Sequence, residues 1–195
     1  LAIVQFHPAF GYEEFIEGIR PESVEHDGRQ VINYPARPGI FVEFCRAAAQ
    51  IGEPCVFIID EINRGNIPRI FGELMLLLEY RKLDVKLPYS GKPFRIPPNV
   101  YLIGTMNTAD RSIALVDFAL RRRFHLAHFT ADPDLFDRWL LAHPVPGLPY
   151  LGKLYRRLAT EAIDDANFAI GSSHFMRDDL DEVALRRIWH YSIMP

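Results

Sequence analysis

Only two cysteines occur in 195 residues. Cys45 and Cys55 have no metal-ligand spacing and sit in largely apolar stretches, so both read as reduced core thiols, and a disulfide scaffold is excluded. No apolar run approaches the ~20 residues that cross a bilayer, and no leader peptide is visible, so a cytoplasmic protein without a membrane role is expected. The net charge of −3 removes any global electrostatic case for nucleic acid or anionic lipid. The seven histidines are scattered and form no pair in metal-ligand context. The 12 glycines are isolated, and none precedes Lys-Ser or Lys-Thr, so these residues contain no phosphate-cradling GxxxxGK[ST] loop. There is no internal repeat and no low-complexity tract.

What is present is ordinary globular material, with 49% hydrophobic and 24% charged residues. That suffices for one domain with a real core and a small appendage. The chain opens on Leu1 inside a strand-like run and closes on "IWHYSIMP" inside a helix-like one, which is expected of a piece of a longer protein.

"LAIVQF" has the composition of a buried strand. "YEEFIEGI" spaces Tyr12, Phe15, Ile16 and Ile19 as a helix does, until Arg20-Pro21 ends it. The polar stretch 21–38 carries Asp27-Gly28 and predicts a hairpin with "QVINY" as one arm. "GIFVEFCRAAAQ" predicts a helix ended by Gly52, and "PCVFIIDE" a strand ending in two carboxylates. Asn66 can cap a helix whose face is Ile67, Ile70, Phe71, Leu74, Leu77 and Leu78. Residues 83–96 alternate as a hairpin, with Leu83, Val85 and Leu87 on one face and "YSGK" as the turn. "NVYLIGTM" reads as a strand, "IALVDFAL" as a short helix and "FHLAHF" as a strand. Helices are predicted for "LFDRWLLAH" and "YLGKLYRRLATEAIDDA", separated by the linker "PVPGLP". This alternation predicts an α/β core, a mostly parallel sheet sandwiched by helices over residues 1–130, then a helical unit over 131–195.

Three stretches carry chemistry. In open α/β sheets ligands lie at the C-terminal ends of strands. Asp60, at the end of "VFIID", can hold Mg²⁺ through its water shell, and Glu61 can orient a water for attack on a terminal phosphate. The plainer alternative is a solvated strand end with two acids. A second strand delivers "MNTADRS": Asn107 can hydrogen-bond a γ-phosphate or the attacking water, or cap the following turn. Asp110 can cap the helix that starts near Ser112. Three arginines then end "ALRRRF". They cannot all be buried, so at least one is exposed, either as a solvated basic patch or as a group that stabilises transition-state charge in a neighbouring subunit.

In combination and in this order, "FHPAFGYEEFIEGIRP", "FIIDEINRGNIPRIFGELMLLLE" and "GTMNTADRSIALVDFALRRRF" resemble AAA+ nucleoside triphosphatases. The likeness is specifically to the McrB-like family of modification-dependent restriction systems, and it extends over nearly the whole chain. The resemblance implies an AAA+ P-loop-type fold with a helical lid. It makes Asp60 and Glu61 the Walker B pair, with Asp60 the water-mediated Mg²⁺ ligand, and Asn107 sensor 1. Asp110 and Arg111 belong to the family's signature run at the nucleotide. Arg122 and Arg123 become arginine-finger positions, Arg123 the better placed of the two. It implies that the 21–38 and 83–96 hairpins project from a ring. It sets "FAIGSSHFM" at the sensor-2 region, although no arginine occurs there before Arg177.

The implied activity is ATP or GTP hydrolysis by a ring oligomer with Mg²⁺, working with a McrC-like nuclease subunit and reaching DNA through the assembled complex. The missing phosphate loop precedes the first strand in this fold, so the fragment alone is expected to bind nucleotide weakly and hydrolyse none detectably. Two alternatives stand beside this reading. One is a MoxR- or chelatase-type protein-remodelling ATPase, against which "MNTADRS" argues. The other is a non-catalytic scaffold or DNA-binding module with a degenerate site, against which the complete set Asp60, Glu61, Asn107, Arg122 and Arg123 argues.

Overall fold

The computed structural model describes residues 1–26, 28–107, 118–161 and 170–193. The chain divides into two compact units, Leu1–His125 and Leu126–Pro195. In chain order the first contains β1 (Ala2–Gln5), α1 (Tyr12–Phe15), β2 (Glu17–Ile19), β3 (Glu22–His26), β4 (Arg29–Asn33), β5 (Ala36–Pro38), α2 (Ile40–Ile51), β6 (Cys55–Asp60), α3 (Ile67–Phe71), α4 (Leu74–Glu79), β7 (Val85–Lys86), β8 (Pro93–Phe94), β9 (Val100–Gly104) and α5 (Phe118–Arg121).

The expected parallel sheet is formed by β1, β6 and β9, with β6 in the middle. Its register sets Val4 opposite Ile59 and Ile59 opposite Gly104. Alternation along β6 turns Cys55, Phe57 and Ile59 into the core. There Phe57 meets Phe41 edge-on at 5.1 Å, and Phe41 stacks on Phe15 at 5.0 Å. Burying each such ring stabilises the fold by roughly 1.5–3 kcal/mol. On the other face Ile3, Tyr101 and Ile103 are exposed, so β1 is not the strand buried on both sides that its composition predicts.

Local chemistry explains most of the elements. Gly39 precedes α2, and Gly52 ends it in the left-handed region at φ 75°. Asn66 Oδ1 accepts the N–H of Arg69 at 3.2 Å and starts α3. The predicted single helix 67–78 is instead two, because Gly72 turns to φ 49° and breaks the ladder between α3 and α4. A Cβ at Gly72 would lie 2.9 Å from the Tyr12 ring, so packing demands glycine there. The helix predicted from Tyr12 to Ile19 stops at Phe15. Its second half becomes β2, which pairs with β5 and sets Gly18 opposite Arg37. One turn of helix cannot hold itself, and the ladder to β5 wins.

The expected hairpin in 21–38 is the β3–β4 ribbon, turning through Gly28 at φ 74° with His26 opposite Arg29. It is almost wholly exposed. The 83–96 hairpin exists as β7–β8, but it does not project. Leu87, Phe94 and Ile96 are buried in the main core. Leu83 falls before the strand and is exposed, leaving Val85 and Leu87 as the inward face. Residues 124–129, "FHLAHF", contain no strand. Among the described residues the outer edge of β9 is unpaired, and 124–129 does not add a strand to it.

The second unit is helical, as expected, with α6 (Pro133–Ala142), α7 (Leu151–Thr160) and α8 (Glu182–Ile188). Asp132 caps α6 by accepting from the N–H groups of Asp134 and Leu135. Phe136, Tyr155 and Phe175 form the centre of its own core, and the Tyr155 hydroxyl donates to the Ile170 carbonyl at 2.9 Å.

Candidate functional site

The C-terminal ends of β6 and β9 meet, and the backbone ladder continues past both strands. Thr105 N donates to the Ile59 carbonyl and Ile62 N to the Thr105 carbonyl, each at 2.9 Å. Thr105 is therefore held between the two acids of "IIDE". Its hydroxyl donates to Asp60 Oδ1 and accepts the N–H of Glu61 at 3.4 Å. Beyond it, Asn63 Nδ2 donates to the Asn107 carbonyl at 3.5 Å. Asp60, Glu61 and Asn107 thus lie on adjoining strand ends linked through Thr105 and Asn63.

Glu61 has a left-handed backbone, φ 52° and ψ 43°, and is the one non-glycine residue with positive φ among the described residues. That conformation costs about 1–2 kcal/mol for a residue with a Cβ. It turns the chain sharply from β6 into a 3₁₀ turn at Ile62–Arg64. The same turn brings Arg64 Nε within 3.2 Å of Glu61 Oε2. Ile62 is buried and packs against Gly104, where a Cβ would lie 3.0 Å from its Cδ1. Asn63 Oδ1 is buried without a hydrogen-bond partner, so an acceptor at this turn is unsatisfied.

The two arginines differ. Arg123 Nε donates to the Met75 carbonyl at 3.0 Å, and its Nη2 pairs with Glu79 Oε2 at 2.9 Å, with the side chain 18% exposed. Arg122 is exposed. Asp110 and Arg111, with most of the signature run, lie outside the described residues, as does the first part of "FAIGSSHFM". In the remainder of that stretch Ser172–His174 form a 3₁₀ turn, and Arg177 pairs with Asp179. Thr105 and Asn63 were not singled out in the sequence. The available signal was position alone, a hydroxyl just past one apolar strand and an amide three residues past the aspartate that ends the other.

The donor set suits Mg²⁺. One carboxylate and a hydroxyl, both hard oxygen donors, stand at the strand ends. Among the described residues no three His, Cys, Asp or Glu cluster as an all-protein cage. Mg²⁺ characteristically uses one or two carboxylates, water and substrate phosphates rather than such a cage.

Comparison with known proteins identifies the family. Residues 1–124 match the model of the AAA domain family, dynein-related subfamily. The chain is 42% identical over 190 residues to the type IV methyl-directed restriction enzyme EcoKMcrB subunit of Escherichia coli strain K12, covering 89% of this chain and 40% of that protein. It is 24% identical over 176 residues to the type II restriction enzyme BsuMI component YdiS of Bacillus subtilis strain 168, covering 71% of this chain and 51% of that one. The chain thus spans about half or less of the length of either relative.

Proposed function

The chain belongs to the AAA domain family, dynein-related subfamily, as a McrB-like AAA+ protein, and from that premise we propose that its full-length protein hydrolyses ATP or GTP as the motor subunit of a restriction system. The observation that carries this reading is the joining of Asp60, Glu61 and Asn107 at the C-terminal mouth of a parallel sheet, where α/β proteins bind ligands.

The roles follow from placement. Asp60 holds Mg²⁺ through water, oriented by the Thr105 hydroxyl. Mg²⁺, when bound, neutralises charge on the transferred phosphoryl group. Glu61 positions and polarises the attacking water, its direction set by the left-handed backbone. Asn107 donates toward the γ-phosphate, and Asp110 and Arg111 follow at the nucleotide and subunit boundary. Arg122 and Arg123 supply positive charge to a neighbour's site in a ring oligomer. Arg122 is exposed, and Arg123 would have to leave Glu79. The names of both relatives support a restriction system. A McrC-like nuclease subunit and DNA reached through the assembly are the partners proposed with it. Among the described residues no helix is long and apolar enough to cross a membrane, and we place the protein's work in the cytoplasm.

The test is Glu61→Gln in the full-length protein. Nucleotide binding should persist while turnover falls about 10²–10⁴-fold, the usual contribution of a positioned base. Turnover at the wild-type rate would reject the assignment.

A further inference from the structure

Glu17 is the buried polar residue that the site does not use. It is 2% exposed, and no other polar or charged residue among those described is buried. A carboxylate in such a place is tolerated only when its oxygens are satisfied. Oε1 of Glu17 accepts the N–H groups of Tyr89 at 2.7 Å and Ser90 at 3.0 Å. Those two residues belong to the turn of the β7–β8 hairpin.

Glu17 also opens β2, and the β2–β5 pair is the root of the exposed ribbon. Glu22, at the start of β3, and Arg37, in β5, close that root with a two-pronged ion pair. A two-stranded ribbon has little stability of its own, so its root sets its pose. The hairpin is held at its other end as well. Arg81 Nη2 donates to the Val100 carbonyl, and Asn99 Nδ2 to the carbonyls of Ala48 and Glu53. Close to the turn, the Tyr89 hydroxyl donates to Glu13 and the Tyr12 hydroxyl to Glu73. From the hairpin the chain runs directly into β9, whose end carries Thr105 and Asn107.

We propose that Glu17 is a positioning residue that makes the β3–β4 ribbon and the β7–β8 hairpin one rigid body, so that a contact made at the ribbon is transmitted to β9, the strand that leads to Asn107. The catalytic consequence rests on the reading of Asn107 given above; the rigid link does not.

Hydrogen exchange and nucleotide hydrolysis by the full-length protein test it together, with Glu17→Met and Glu17→Gln. Methionine keeps length and removes the acceptor, whereas the glutamine carbonyl can still accept both N–H groups. With Glu17→Met, exchange should quicken about tenfold or more at the Tyr89 and Ser90 amides and across the β2–β5 pair. The same variant should lower kcat with nucleotide Kd unchanged, and Glu17→Gln should restore both readouts. Faster exchange confined to Tyr89 and Ser90, with β2–β5 and kcat unaffected, would overturn the link and leave a local turn anchor. If Glu17→Met does not fold, Ser90→Pro removes one donor from the opposite side and is judged by the same two criteria. Glu61→Gln run in parallel separates the two ideas. Full turnover there rejects the site assignment, while the exchange pattern still decides the link.

Discussion

The Thr105 hydroxyl, one residue past the end of β9, donates to the Asp60 carboxylate at the end of β6 while accepting the Glu61 N–H. One side chain therefore binds the carboxylate of the first acid and the backbone of the second. Thr105→Val keeps the shape and removes both hydrogen bonds. Because the residue is exposed, the stability loss should be about 1 kcal/mol, or roughly 2–4 °C in Tm for a chain of this size. In the full-length protein the Mg²⁺ concentration needed for half-maximal hydrolysis should rise. Thr105→Ser should recover most of it. A melting curve and an Mg²⁺ titration both unchanged in the valine variant would mean that the hydroxyl orients nothing.

Glu61 makes a second prediction possible, because its side chain and backbone pull in opposite directions. The left-handed conformation costs about 1–2 kcal/mol with a Cβ present, and glycine in turn loses about 0.5–1 kcal/mol of chain entropy on folding. The Arg64 ion pair lies at the surface and adds little. Glu61→Gly should therefore be more stable than the wild type by about 0.5–1 kcal/mol, while hydrolysis by the full-length protein is lost. Chemical denaturation gives the first number and a turnover assay the second. A clearly destabilised glycine variant would show that the backbone there is not strained.

Much of this site could be read in the letters, for a physical reason. "VFIID" and "VYLIGT" are apolar and β-branched enough to be strands regardless of context, and neighbouring parallel strands must bring Asp60 and Asn107 to the same edge. Asn66 and Gly52 act through bonds to residues no more than four away, so they too were visible. The errors fell where a distant partner decides. Residues 17–19 became a strand because β5 lies alongside, and Gly72 broke a helix because Tyr12 packs on it. Residues 124–129 form no strand although the outer edge of β9 is open among the described residues. Thr105 and Asn63 carry no special letter pattern, and only the ladder between strand ends makes them matter.

Cys45 gives a pH dependence. Burial pushes the Cys45 thiol up to about 12 from an ordinary 9.0. The folded state thus keeps the proton over a range where the unfolded chain has lost it. This contribution to stability is complete below pH 9 and is lost as pH rises from there toward 12. Both cysteines are buried and unpaired with each other. At pH 8 a thiol reagent should label neither in the native chain and both in denaturant. Replacing Cys45 with alanine should flatten the alkaline fall in stability over that window. Prompt native labelling of Cys45 would contradict the packing described.

Arg123 is the arginine of "RRR" whose contacts predict a measurable stability effect. Arg123 reaches α4 with two contacts, one to the Met75 carbonyl and one to the Glu79 carboxylate, and is mostly shielded from water. Arg122 is exposed. A charge-assisted bond to a carbonyl at a part-buried site is worth about 1.5–3 kcal/mol, and solvent at Glu79 trims the ion pair. Arg123→Ala should therefore destabilise the chain by about 1–2 kcal/mol, and Glu79→Gln by less, since the Met75 contact survives. In a double variant, Arg123→Ala with Glu79→Gln, the two effects should fall short of adding, because both remove the same pair. Strict additivity would mean that Arg123 and Glu79 do not interact in solution. The Met75 carbonyl would then be the contact that holds Arg123 against α4.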